Sequence, residues 1–247
     1  MAQKAVALNE LASRIIVPYL AMALILVVVG VLVKISGLPE IDPNEQNAGD
    51  DQTGHTSRTS IFQYPFLLLG VLAIFCDVGL EIIAGDTIIS YGLSQGIPIS
   101  VAKHFTSLTM LASIMGYAIG IIAIPRYITQ VKALRTCAVL GIVLTVAAIG
   151  LPGMASVVFI ALLGMANALI WPSVWPLALE GLGRFTRIGS SLLIMGNLGG
   201  ALLPLLYGRL ADVVNPQKAY LIVIPCYFFI LYYATLGHKV GKRTRVL

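Results

Sequence analysis

The amino-acid sequence predicts an all-α integral membrane protein with seven transmembrane helices. Of 247 residues, 58% are hydrophobic and 11% charged, whereas a soluble domain keeps about 25% charged residues to face water. In lipid, apolar side chains face outward as well as inward. The apolar residues also fall into seven runs, each close to the roughly 20 residues a helix needs to cross the hydrocarbon.

Residues 1–37 hold the first run, Ile15–Ile35. It follows a mildly amphipathic start with Lys4, Asn9 and Glu10 and no small-residue cleavage site. Residues 38–62 break the pattern: Glu40, Asp42, Glu45, Asp50 and Asp51 stand among Gly and Pro with few apolar neighbours, the composition of a linker. Residues 63–237 carry six runs: Gln63–Ser90, Val101–Ile124, Leu134–Leu151, Met154–Leu179, Ile188–Leu210 and Ala219–Leu236. Only the Pro-Gly turn at Leu151-Pro152-Gly153 separates the fourth span of the chain from the fifth. Gly181-x-Gly183 also reads as a turn, since no strand precedes it and the full phosphate-loop motif is missing. Residues 238–247 form a basic tail (Lys239, Lys242, Arg243, Arg245) suited to anionic headgroups.

The net charge of +5 does not indicate nucleic acid. Lys and Arg are scattered between apolar runs, not gathered on one face with stacking aromatics. Their placement instead predicts orientation, because cytoplasmic loops are enriched in them. A cytoplasmic C-terminus places Lys34, Arg58, Arg126, Lys132, Arg135, Arg184, Arg187, Lys239, Lys242, Arg243 and Arg245 inside, with Lys4, Arg14, Lys103, Arg209 and Lys218 outside. One span, a cytoplasmic linker and six more spans are what a twelve-span carrier retains without its first five helices. In such carriers two six-helix halves meet around a substrate at the midplane. The first span is therefore read as helix six, and the rest as the C-terminal six-helix bundle. Cys76, Cys137 and Cys226 lie in apolar runs without C-x-x-C spacing or a nearby His, so neither a disulfide framework, a metal nor a cofactor is indicated.

Ionisable residues inside spans are costly and mark function. Asp77 and Glu81 stand four residues apart on one helix face near the middle of the second span. Two carboxylates so placed repel each other, which calls for a proton, a cation or a sugar hydroxyl. An ion pair with another helix or a water-lined cavity are the structural alternatives. Both residues are candidates for ion coupling, and Glu81 for substrate binding as well. Asp86 lies nearer the end of the span and reads as a solvated mouth residue. The fifth span places Asn167 four residues before Trp171, ahead of Pro172, Trp175 and Pro176. An amide beside an indole suits a sugar: the amide bonds hydroxyls and the ring covers C–H groups. Asn167 reads as a pocket residue, with a bond to a neighbouring helix as the alternative; Trp171 reads equally as pocket or as aromatic belt, and Trp175 as belt. In the sixth span Asn197 stands at mid-depth between Gly196 and Gly200, whose G-x-x-x-G spacing permits close helix approach. Gly116 and Gly120 give the third span a similar packing face, and His104 at its end reads as a surface group.

Several of these stretches resemble one transporter family. The run Asn167-Ala-Leu-Ile-Trp171-Pro172-Ser-Val-Trp175-Pro176-Leu-Ala-Leu-Glu180-Gly181-Leu-Gly183 is similar to the tenth helix of the fucose:proton symporter and glucose/galactose transporter family of the major facilitator superfamily. Gly189-Ser190-Ser191-Leu-Leu-Ile-Met195-Gly196, Gly199-Gly200-Ala-Leu-Leu-Pro204-Leu-Leu-Tyr207-Gly208 and Val78-Gly79-Leu80-Glu81 are similar to further segments of that family.

The resemblance implies secondary active transport of a monosaccharide of the fucose, glucose or galactose class across a bacterial cytoplasmic membrane. It implies alternating access and coupling to a proton or sodium ion. Asp77 and Asp86 match no known position of the family, and in the fucose symporter the coupling acids lie in the N-terminal half. The alternative is a truncated or split-gene fragment without transport activity by itself, completed by a separate N-terminal half. A seven-span receptor or retinal protein is disfavoured, since no lysine lies midway along the last span and the acidic linker separates one span from six.

Overall fold

The structure, a computed structural model, describes residues 2–36, 60–124 and 126–241, with the side chains of residues 2–14, 62 and 184 excepted. Most of the predicted linker, together with Arg58, Lys242, Arg243 and Arg245, lies outside the described residues.

The chain divides into two units, Met1–Gln52 and Thr53–Leu247. Among the described residues, the first contains one helix, Ala2–Ile35. It begins well before the predicted span because Ala2–Leu11 is rich in strong helix formers. Its side chains from Ile15 to Ser36 are all exposed. A helix that is apolar all round suits apolar surroundings.

The second unit contains the other six of the seven helices that, among the described residues, are long and apolar enough to cross a membrane: Pro65–Asp86, Ile99–Ala123, Gln130–Gly150, Gly153–Leu179, Thr186–Val213 and Pro216–Thr235. They are called the second to seventh spans. Local chemistry sets their starts. Pro65 opens the second span at a position where its missing N–H costs nothing. Thr129 caps the fourth by accepting from the Lys132 N–H, so that helix begins four residues before the predicted Leu134. Asn215 caps the seventh in the same way through the Lys218 N–H, ahead of Pro216. The predicted Pro-Gly turn is present, with Gly153 at φ +62°, where glycine is least strained.

The second span forms the centre of this unit, packing against the fifth, sixth and seventh and burying Leu67, Ile74, Leu80 and Ile83 almost completely. Small residues allow this closeness. A Cβ on Gly199 would stand 1.8 Å from the Phe75 carbonyl oxygen, and one on Gly196 2.8 Å from that of Val71. The predicted glycine face of the sixth span therefore meets the second span, with Gly199 at its tightest point. Gly116 and Gly120 likewise face the fifth span, at Met165, Ala168 and Leu169.

Two spans are interrupted near mid-length. In the fifth, helical structure stops at Asn167 and resumes at Ile170. Pro172 has no N–H to offer the Ala168 carbonyl, which explains the break. In the sixth, a 3₁₀ turn spans Gly196–Leu198.

Polar side chains tie together the loops at one end. Gln217 Nε2 donates to the carbonyls of Ala148, Ile149 and Leu151 at 3.2, 3.0 and 2.8 Å, and Gln95 Oε1 accepts from the Gly153 N–H at 2.9 Å. Tyr91 OH lies 2.5 Å from Ser156 Oγ, which in turn donates to the Ala148 carbonyl. Tyr220 stacks edge-on between Tyr91 and Tyr207, with centroids 5.2 and 5.0 Å away. Gln217→Ala should therefore cost about 1 kcal/mol or more, since carbonyls it now satisfies lose their donor. A lowered thermal midpoint in detergent checks this.

Candidate functional site

Two groups of polar residues stand out in the six-span unit, one enclosed and one on its surface. The enclosed group centres on Asp77, which is 1% exposed. Its Oδ1 has no hydrogen-bond partner. The charged group acting on it is Glu81, one helical turn further on and of the same sign. Tyr227 of the seventh span is fully buried and within electrostatic reach of Asp77. It donates its hydroxyl proton to Asn167 Oδ1 at 2.6 Å. The Asn167 Nδ2 donor is buried without a partner. The Tyr227 ring is held by the absence of a side chain at Gly141, where a Cβ would fall 2.3 Å from the ring. Cys76 and Cys226 interact beside this group, the Cys226 thiol donating to the Ile222 carbonyl at 3.6 Å, and Cys137 of the fourth span completes it.

The second group is exposed. Glu81 stands on the second span between the flanks that meet the sixth span, at Val78 and Ile82 near Gly200, and the third span, at Gly85 near Met110. Tyr117 of the third span is within its electrostatic reach. Trp171, 40% exposed, lies just after the break in the fifth span, with the Trp175 ring 5.0 Å away at 44°. Trp175 is half-buried against the core, and its Nε1 has no partner. Asn197 lies exposed in the 3₁₀ turn of the sixth span. His104 and Asp86 are exposed, as the sequence suggests.

Of the residues singled out from the sequence, the structure places Asp77 and Asn167 in the interior group and Glu81, Trp171 and Asn197 on the surface. The neighbouring-helix alternative for Asn167 is realised through Tyr227, although its amide nitrogen stays open. Tyr117 and Tyr227 escaped the sequence reading, because an isolated tyrosine in an apolar run looks like packing. The signal for Tyr227 was its neighbour Cys226, also a polarisable group facing inward. Glu81, Asn197 and Trp171 are each exposed, on the second, sixth and fifth spans respectively, and a carboxylate, an amide and an indole are the group types that bind a polyol. The interior group offers one carboxyl and one amide with unmet hydrogen-bonding capacity.

No family model matches the chain. It is 32% identical to a glucose/galactose transporter of Brucella abortus, over 94% of this chain and 55% of that protein. To a putative glucose/galactose transporter of Helicobacter pylori it is 25% identical, over 92% of this chain and 56% of the relative. To the L-fucose-proton symporter of Escherichia coli it is 22% identical, over 92% and 52% respectively. The resemblance read from the motifs thus extends over nine tenths of the chain. Among solved structures, a major facilitator superfamily transporter in the outward conformation superposes with a TM-score of 0.72 at 22% identity, covering 92% of this chain and 54% of that one. The fold is that of about half of such a transporter, and the chain spans about half the length of the curated relatives it matches.

Proposed function

We propose that this chain, built like half of a major facilitator transporter, supplies the C-terminal half of a monosaccharide carrier of the glucose, galactose or fucose class. The observation that carries this reading is the 32% identity to a glucose/galactose transporter along 94% of the chain. In this reading the helix Ala2–Ile35 corresponds to helix six. Residues 38–62 join it to the six-helix bundle of residues 63–237, and residues 238–247 form a basic tail facing the cytoplasm of a bacterium. Glu81, Trp171 and Asn197 meet the sugar from the exposed side of the bundle, and Asn167 adds its unpaired Nδ2 donor. A proton or sodium gradient drives uptake, with Asp77 and Glu81 as the coupling carboxyls.

The sugar then lies between this bundle and a second one, and each transport step turns on which side the two halves open. A surface carboxylate that bonds sugar hydroxyls is most useful if its strength differs between the two openings, since a ligand shifts an equilibrium only by its differential affinity.

A second reading follows from the half-length coverage of every relative named: the chain is a fragment that moves no sugar alone and needs a separate N-terminal half. One experiment addresses both. Radiolabelled glucose, galactose and fucose are offered to transport-deficient bacteria expressing this chain alone, or together with the N-terminal half of the Brucella relative. Accumulation by the pair only, abolished by Glu81→Gln and Asn167→Ala, is the expected result. Accumulation by the chain alone would overturn the fragment reading. Accumulation indifferent to both substitutions would remove those residues from the site.

A further inference from the structure

We infer that Asp77 is an internal proton site: a carboxyl enclosed in the six-span unit that carries its own proton, with Asn167 poised to receive the carboxylate when the proton leaves. For its use in transport, the inference rests on the proposed cation-coupled carrier. The site itself is read without reference to sugar.

An unpaired ion in such a place costs several kcal/mol, and the structure offers Asp77 no compensation. Among the described residues, five spans place polar or ionisable groups around it. The second span contributes Cys76 and Glu81, the third Tyr117, the fourth Cys137 and the seventh Tyr227, with Cys226 beside Tyr227. The fifth span adds the neutral Asn167, bonded to Tyr227. None of these groups is a cation, and the charged one, Glu81, is an acid. The counter-charge that Asp77 needs must therefore be a bound cation.

The neighbours favour a proton over sodium. A hard metal cation seeks a shell of several oxygens, whereas thiols suit soft metals. Here three of the seven groups named are thiols, and the Tyr227 hydroxyl is already committed to Asn167 Oδ1. Among the described residues, no group of three His, Cys, Asp or Glu side chains is placed to hold a metal. A proton requires one oxygen only, and Asp77 Oδ1 is free to take it.

The second orphaned atom gives the site its direction. Asn167 Nδ2 is a donor without an acceptor, and Asp77 Oδ1 an acceptor without a donor, in one cluster bridged by Tyr227. Loss of the proton to water leaves a carboxylate, which the unpaired Asn167 Nδ2 donor would stabilise by a shift of its amide toward Asp77. That shift occurs at the last helical residue before the break in the fifth span, one turn ahead of Trp171. The protonation state of Asp77 is thereby linked to the geometry of the indole pair on the exposed side.

Infrared difference spectroscopy of this chain in lipid nanodiscs, in H2O and D2O and across pH, tests the site directly. The expected result is the carbonyl stretch of a protonated carboxylic acid at neutral pH, shifted in D2O, lost in Asp77→Asn and kept in Glu81→Gln. A wild-type chain without that band at neutral pH would overturn the proposal, and this holds even if Asp77→Asn fails to fold. So would an unchanged band in a folded Asp77→Asn. In the carrier completed by an N-terminal half, Asp77→Asn should abolish accumulation against a gradient yet keep sugar counterflow. Equal loss of both would overturn the coupling role. Absence of counterflow from the wild-type carrier would defeat the sugar reading while leaving the infrared result standing.

Discussion

Gly199→Ala is expected to remove nearly all folded protein from the membrane fraction. The added Cβ would sit 1.8 Å from the Phe75 carbonyl oxygen and 2.6 Å from its carbonyl carbon. The obstacle is backbone within a helix, not the end of a flexible side chain, so the second and sixth spans must separate. Overpacking a tight core costs about 1–3 kcal/mol where side chains can yield, and more where they cannot. Helix association in lipid also depends on close van der Waals packing, so separating the spans removes its main source of stability. Gly208→Ala in the same span is the control. Nothing lies within 4 Å of its added Cβ, and alanine favours the helix by up to about 1 kcal/mol. Monodispersity on size exclusion and the thermal midpoint of the two variants measure the contrast. A folded Gly199→Ala chain as stable as wild type would refute the close approach.

Tyr227→Phe is expected to give the second-largest loss. Hydrogen bonds between membrane helices average about 0.6 kcal/mol, because a separated helix finds other partners. The Tyr227–Asn167 bond should exceed that average. Asn167 already has its Nδ2 unpaired, and without the Tyr227 hydroxyl it would have both polar atoms of its amide buried and unmet. An abandoned buried polar group costs about 1–3 kcal/mol. The double variant Asn167→Leu/Tyr227→Phe removes donor and acceptor together and should recover part of the loss. Strictly additive thermal shifts in this double-mutant cycle would show that the pair does not interact.

The spans were legible because lipid imposes a coarse rule: some 20 apolar residues in sequence, whatever they pack against. Their ends were less so, since Thr129 and Asn215 act through one hydrogen bond each, which hydropathy does not register. The candidate site was legible in part. Asp77 and Glu81 share a helix face, and sequence spacing treats them alike. In the structure one is enclosed and the other exposed, because the boundary between the packed and open sides of the second span passes between them. That boundary is set by where the third, fifth, sixth and seventh spans lie, which no single-span pattern contains. Tyr227 was missed for the same reason: its role comes from Asn167, sixty residues away in sequence. Trp175, read as belt, is half-buried beside Trp171 because the turn-long spacing between them continues on one helix.

Those two indoles are also the chain's whole complement of tryptophan. Both lie on the fifth span, 5.0 Å apart, one largely open and one half-covered. Tryptophan fluorescence from this chain therefore has a single origin, immediately beyond the break at Ala168–Leu169. Energy absorbed by either ring is shared with the other, so colour and intensity report the pair as one chromophore. The molecule thus carries a built-in optical gauge at the place where the enclosed side of its fifth span meets the exposed side.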